Sequence, residues 1–331
     1  MRRFFLTIFL LAALCVLGAG AAALWWLHQP LKLPAPSVDL SVEPGTTPRG
    51  VAQAVADTGT AVDPQLLYWW FRFSGQDRQI RAGSYELDRG LTPRTLLAVL
   101  VRGEEATRSV VLVEGWNIRQ VRAALAKADM LKPDTAGLSD EQLMERIGRP
   151  GVHPEGRFFP DTYTYSKNSS DVALLQRAMR AMDKKLEAAW AARASDLPLK
   201  SADEALILAS IVEKETGKAN DRAEVAAVFV NRLRIGMPLQ TDPTVIYGLG
   251  ATFDGNLRKR DLQADTPWNT YTRAGLPPTP IAMPGKAALL AAVQPARSRS
   301  LYFVARGDGT SQFSESLDAH NRAVNKYQRG Q

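Results

Sequence analysis

The chain has 331 residues, enough for about two domains with cores of their own. It carries 41 Lys and Arg against 34 Asp and Glu, an excess spread along the chain, and no basic block, zinc-finger or RNA-recognition motif points to nucleic acid. A single cysteine, Cys15, excludes an internal disulfide and any cysteine-based metal cluster, and His28, His153 and His320 lack metal-ligand spacing, so the chemistry falls to carboxylates, amides and hydroxyls.

Arg2 and Arg3 precede an uncharged run over residues 4–27. At 1.5 Å per residue, a helix of that length crosses a hydrocarbon layer of roughly 30 Å. The leading arginines predict a cytoplasmic tip at residues 1–3 and export of everything after the span. Trp25 and Trp26 fall where an interfacial aromatic belt would lie. Ala21-Ala22-Ala23 offers the competing reading of a cleaved signal, but the apolar run continues to Leu27, which favours a retained anchor. Leu14 is too bulky to precede a lipidated Cys15. Residues 28–38 hold three prolines and read as a short stiff linker.

Residues 39–160 show weak internal repetition. Thr47-Pro48 and Thr92-Pro93 each open a helical pattern, with Thr at the cap and Pro at the first helical position. A looser third copy runs from a strand at Val110-Val111-Leu112-Val113, through the turn Glu114-Gly115-Trp116-Asn117, into a helix from Ile118 to about Lys127. The expectation is a small α+β region, a plain scaffold on one reading. On the other, such short strand–helix units resemble LysM-type glycan-binding modules. Residues 133–149 are polar and read as loop around a short helix. In Phe158-Phe159-Pro160-Asp161 the rings could floor a sugar site or fill a core, and core is the preferred reading.

Residues 161–331 are expected to be mainly helical with a small β-hairpin. A long amphipathic helix covers 170–192. Next comes Leu206-Ile207-Leu208-Ala209-Ser210-Ile211-Val212-Glu213-Lys214-Glu215-Thr216, an apolar helix that ends in acid. Asp203 suits its start and Gly217 its end. Glu215 lies three, four and seven residues beyond Val212, Ile211 and Leu208 and continues the bulky stripe, whereas Glu213 continues a smaller, partly polar face. Desolvation and the negative helix end both oppose ionisation of such a carboxyl, as a general acid requires. A glutamate that merely reaches from the core to water is the alternative. Further on, Asp221 to Glu224 forms a capping box for a helix through about Arg234. Residues 251–280 read as long loops, of the kind that are usually functional. Strands at 300–305 and 312–314 flank a Gly307-Asp308-Gly309 turn, and a helix over 317–327 closes the chain.

Several separated motifs resemble the endolytic murein transglycosylases of the YceG-like (MltG) family. They are Ala209 to Thr216, Val228 to Leu233, Leu239-Gln240-Thr241-Asp242-Pro243-Thr244-Val245-Ile246-Tyr247-Gly248, Asn269-Thr270-Tyr271, Gly275 to Pro278, Tyr302 to Ala305 with His320-Asn321, and Glu155-Gly156 with Phe159 to Thr162. The resemblance implies a single-pass inner-membrane protein of α+β class. It divides into a tip (1–3), a transmembrane helix (4–27), a linker (28–38), a LysM-like region (39–160) and a periplasmic catalytic domain (161–331). It implies cleavage of MurNAc-β-1,4-GlcNAc bonds within peptidoglycan strands to give 1,6-anhydro-MurNAc ends, with no metal or cofactor. The family's catalytic acid maps onto Glu215, and Asn231, Gln240, Asp242, Asn269 and Tyr271 match positions expected to line the groove. Glycan strands and the inner membrane are the expected partners, with peptidoglycan synthases (penicillin-binding proteins) beside them. A non-catalytic glycan-binding scaffold and a water-using muramidase are the competing functions.

Overall fold

The computed structural model describes residues 2–330, with backbone alone for Arg2, Arg3 and Phe5. The cytoplasmic tip expected at 1–3 lies outside the described residues in Met1 and in the side chains of Arg2 and Arg3. The chain divides into two compact units, Met1–Arg108 with Tyr165–Ser169, and Ser109–Thr164 with Ser170–Gln331.

The first unit runs α1 (Arg2–Leu27), β1 (Ser37–Val42), α2 (Pro48–Asp57), α3 (Pro64–Phe73), β2 (Gly83–Asp88) and α4 (Pro93–Arg102). Within α1, Leu6–Leu27 is long and apolar enough to cross a membrane. β1 and β2 pair antiparallel, Ser37 opposite Asp88 and Val42 opposite Gly83. Helix starts follow the expected chemistry: Thr47 accepts from the Gly50 N–H ahead of α2, and Thr92 and Thr95 exchange bonds ahead of α4. Leu40, Val55, Leu67, Phe71 and Tyr85 fill the core between strands and helices. Lys167 explains why residues 165–169 belong here, since its buried ammonium reaches Asp39 at 2.8 Å and Glu86 at 3.1 Å.

Two short strands, β3 (Thr107–Val111) and β4 (Thr162–Ser166), pair with each other, and the chain passes between the units within them. The second unit holds α5 (Ile118–Ala126), α6 (Asp140–Ile147), α7 (Asp171–Ala191), α8 (Ala202–Glu215), α9 (Ala219–Arg234), α10 (Asp242–Leu249), α11 (Lys259–Gln263), α12 (Lys286–Val293), the hairpin β5 (Tyr302–Ala305) and β6 (Ser311–Ser314), and α13 (Leu317–Val324). Its core centres on α8, buried at every position from Ala205 to Val212 and packed among α7, α9 and α12. Phe158 and Phe159 are core residues.

Ser201 caps α8, and Asp203 stands in its first turn, as its place in the sequence suits. One detail differs from the sequence reading. Asp221 does not cap α9, which starts at Ala219; its carboxylate accepts instead from the Ser311 N–H at 2.7 Å. The compact units part near residue 108, and the expected boundary at 160/161 falls inside the second unit. Residues 109–160 go with the second unit because Gly115 and Trp116 exchange backbone bonds with Met283, and the Glu155 carboxyl holds the Ile118 N–H.

Gly156, next to that glutamate, has φ +79, and a Cβ there would lie 2.6 Å from the Pro280 Cβ. Gly156→Ala therefore meets both backbone strain and a rigid ring. It is expected to lower stability by about 2–4 kcal/mol, read from the urea midpoint of the purified protein against the parent.

Candidate active site

Helix α8 delivers two carboxyls from its last turn to different surroundings, because residues two apart on a helix are rotated by about 200°. The Glu213 Oε2 accepts from the Gly285 N–H at 2.9 Å, at the N-cap of α12. Burial raises its pKa, with Glu114 adding to the shift. This carboxyl is occupied in holding the start of a core helix.

Glu215 faces a cavity of about 620 Å³, lined also by Arg232, Gln240, Asp242, Tyr271, Tyr302 and His320. Its Oε1 accepts from the Thr241 hydroxyl. Burial raises its pKa, the Thr241 bond opposes that, and the nearby Asp242 reinforces it. The position at the negative end of α8 acts in the same direction. Glu215 is thus biased toward the protonated acid, with Oε2 free of protein partners among the described residues.

The cavity lining also includes a stack. The Tyr302 and His320 rings lie 5.2 Å apart and 24° from parallel, and the Arg232 guanidinium sits 5.3 Å from the Tyr302 centroid. Arg232 is pinned by the Leu301 and Leu239 carbonyls at 2.7 and 2.8 Å. The His320 Nδ1 is buried with no partner among the described residues. Burial lowers its pKa and Arg232 adds to that, so the imidazole is held neutral.

Behind Glu215 is a buried hydroxyl cluster. The Thr241 N–H donates to Thr270 Oγ1 at 3.1 Å, and Thr244 Oγ1 lies 2.7 Å from the Thr241 carbonyl and 2.9 Å from Thr270 Oγ1. Next to it the Tyr271 hydroxyl donates to Asp242 at 2.6 Å. Gln240 adopts φ +49, a left-handed conformation unusual for its type, and is exposed at the cavity edge. Among the described residues, no cluster of His, Cys, Asp and Glu is arranged to hold a metal ion.

The YceG-like family model matches residues 40–326. The chain belongs to the YceG-like family. It is 31% identical to an endolytic murein transglycosylase of Bacillus subtilis, over 88% of this chain and 85% of that one. It is 28% identical to an endolytic murein transglycosylase of Streptococcus pneumoniae, over 74% of this chain and 50% of the other. The crystal structure of a yceG-like protein of Listeria monocytogenes superposes with a TM-score of 0.55 at 26% identity, covering 87% of this chain and 98% of that one.

Of the six residues singled out in this YceG-like sequence, the fold brings Glu215, Gln240, Asp242 and Tyr271 to one cavity. Asn231 lines a separate cavity of about 770 Å³, and its amide donates to the Ser298 and Ser300 carbonyls. Asn269 is fully buried, with its amide on the Leu262 and Ala264 carbonyls at 3.0 and 2.7 Å. Both asparagines brace loops. Sequence reasoning passed over Arg232, Thr241, Tyr302 and His320, although each stands within a motif that carried the family resemblance. A further buried acid, Glu155, sits outside the cavity. Its oxygens accept from the Ile118 N–H at 3.1 and 3.2 Å, and it also bonds Tyr247 of α10, the helix that Asp242 begins. Burial, the largest influence, raises its pKa to about 7.

Two outcomes follow from these placements. Asn269→Ala strands several buried carbonyls and is expected to cost about 2–4 kcal/mol of stability, whereas Gln240→Ala should leave the urea midpoint unchanged and slow turnover about tenfold. The Glu155 carboxyl holds its proton more tightly folded than unfolded. Its contribution is therefore fully present below about pH 4.5, its ordinary value, and is lost as pH rises to about 7, a loss of about 3 kcal/mol. In Glu155→Gln, unfolding titrations at pH 5 and pH 8 should differ by correspondingly less than in the parent.

Proposed function

We propose that this chain is an endolytic murein transglycosylase that cuts MurNAc-β-1,4-GlcNAc bonds within peptidoglycan strands and leaves 1,6-anhydro-MurNAc ends. The observation that carries this reading is Glu215, a carboxyl biased toward protonation that lines a cavity walled by aromatic rings and polar side chains. The names of the Bacillus and Streptococcus relatives support the same activity.

Protonated Glu215 gives its proton to the glycosidic oxygen as the C1–O bond breaks and an oxocarbenium-like centre develops. The carboxylate left behind is stabilised by the Thr241 hydroxyl and by the field of Arg232. It then takes the proton from the C6 hydroxyl of the same MurNAc, whose oxygen bonds to C1. One bond is exchanged for another, no water is consumed, and Glu215 ends protonated. Asp242 keeps Glu215 protonated by its charge and is positioned by Tyr271. Tyr302 and His320 line the cavity and offer ring surface to sugar. Gln240, at the cavity edge, suits a hydroxyl or acetamido group.

The remaining proposals concern placement. The strand–helix–helix–strand order of the first unit supports a LysM-like glycan module. The length and apolarity of Leu6–Leu27 support a single-pass inner-membrane anchor with a cytoplasmic N-terminus and a periplasmic catalytic unit. That location would set the enzyme beside penicillin-binding synthases working on the same strands.

Purified parent, Glu215→Gln and Glu213→Gln proteins would be incubated with intact peptidoglycan and the fragments weighed by mass spectrometry. Glu215→Gln is expected to lose about 10²–10⁴-fold or more, because one group plays both acid and base. Glu213→Gln should lose less than about tenfold once its folding is matched, since its carboxyl binds a helix start. Ends heavier by one water would make the enzyme a muramidase, and full activity of Glu215→Gln would leave a glycan-binding scaffold. The parent's rate should fall as pH rises through the elevated pKa of Glu215, where the acid form is lost.

A further inference from the structure

Helix α3 has the sequence PQLLYWWFRF, with Leu67 and Phe71 fully buried in the core of the first unit. Its outer face should then be polar. It carries instead Leu66, Trp69 and Phe73, exposed by 53%, 49% and 80%, and the Trp69 and Phe73 rings stack at 5.5 Å. Residues 66, 69 and 73 share one side of a helix, so the three form a continuous apolar strip. None of the described residues buries it.

The position of that strip identifies what would cover it. Trp26 at the end of α1 packs on the core of this unit, and Leu27 and Leu31 are both buried. The unit is therefore seated at the root of the span rather than held off on a loose tether. The Ala61 N–H, just ahead of α3, donates to the Lys32 carbonyl at 2.9 Å, and Lys32 lies five residues beyond Leu27, less than about 18 Å of extended chain. Toward the other end of α3, the Trp70 indole donates to the Pro93 carbonyl at 3.1 Å, and the adjacent Arg94 bonds His28, the residue after α1, at 3.2 Å. Both parts of α3 are thus tied to the segment that leaves the bilayer. Tryptophan and phenylalanine beside a span suit the headgroup level. The exposed Arg94 and Arg49, the latter 5.0 Å from the Tyr68 ring centroid, suit anionic lipid.

We propose that the outer face of α3 docks on the surface of the bilayer that α1 crosses, fixing the first unit flat at the membrane. The proposal rests on α1 being retained as an anchor. Docking would hold the unit close to newly made glycan and restrict its rotation about the span.

The test uses full-length protein in vesicles of phosphatidylethanolamine and phosphatidylglycerol. In a Cys15→Ala background, Phe73→Cys carries the sole thiol and is labelled with an environment-sensitive nitrobenzoxadiazole probe. Leu66→Cys provides a second site, and Glu104→Cys a control beyond the far end of α4. At 73 and 66 the probe is expected to be several-fold brighter than at 104 and to be quenched by lipids bearing nitroxide near the headgroup, while 104 is unaffected. Flotation of the vesicles after an alkaline wash reports the anchor separately. Protein that floats but shows the same unquenched probe at all three sites overturns the proposal alone; protein that fails to float removes the anchor and the proposal with it. A probe at 73 that responds to added glycan strands, and not to nitroxide lipid, also overturns it by making the strip a sugar platform.

Discussion

Helix α8 is enclosed on all sides from Ala205 to Val212, and its last turn is where that enclosed segment opens onto a cavity. A helix surrounded by α7, α9 and α12 cannot rotate without moving their side chains, because protein interiors are close-packed. The orientation of every group in the last turn is inherited from that packing. Ser210, the one polar residue in the buried stretch, adds a directional tie: its hydroxyl donates to the Ile207 carbonyl at 2.7 Å and accepts the Ile281 N–H at 3.0 Å. The loop leading into α12 is thereby locked to α8.

From this rigid base, two chemically identical side chains acquire different work. Glu213 is turned toward the start of α12, where a helix N-terminus offers an N–H and a favourable dipole. Glu215 is turned toward the hydroxyl cluster of Thr241, Thr244 and Thr270 and keeps one oxygen toward the cavity. Both are desolvated and both resist ionisation, so acidity alone does not separate them. Access does. The left-handed Gln240 belongs to the same construction, as it reverses the chain so that Thr241 and Asp242 arrive behind and beside the acid.

Periodicity and caps made α2, α4, α5, α7 and α8 readable in the sequence, and the Thr-Pro helix starts are built as their chemistry requires. Helix α3 carries the same kind of start, Asp63 at the cap and Pro64 at the first helical position, so its local signal matches that of α2 and α4; what sets it apart is an outer face bearing Leu66, Trp69 and Phe73 where polar residues are expected. Helix α12 escaped because KAALLAAV is short and buried almost throughout. Asn231 and Asn269 looked like substrate ligands because a polar amide on a loop or helix end has the same residue type whether it faces solvent or braces backbone. Only the carbonyls around them, contributed by residues 262–264 and 298–300, distinguish the two uses.

Local sequence determined the membrane-length apolar helix, the helix starts, the different helical faces of Glu213 and Glu215, and the family, because each depends on residues close in the chain or on motif identity. Tertiary structure alone decided that Arg232, Tyr302 and His320 line one cavity with Glu215, that Glu155 joins α5 to α10, and that residues 109–164 belong with the second unit. Those relations join segments tens to more than a hundred residues apart. They are set by which apolar surfaces are buried together, and no local pattern records that pairing.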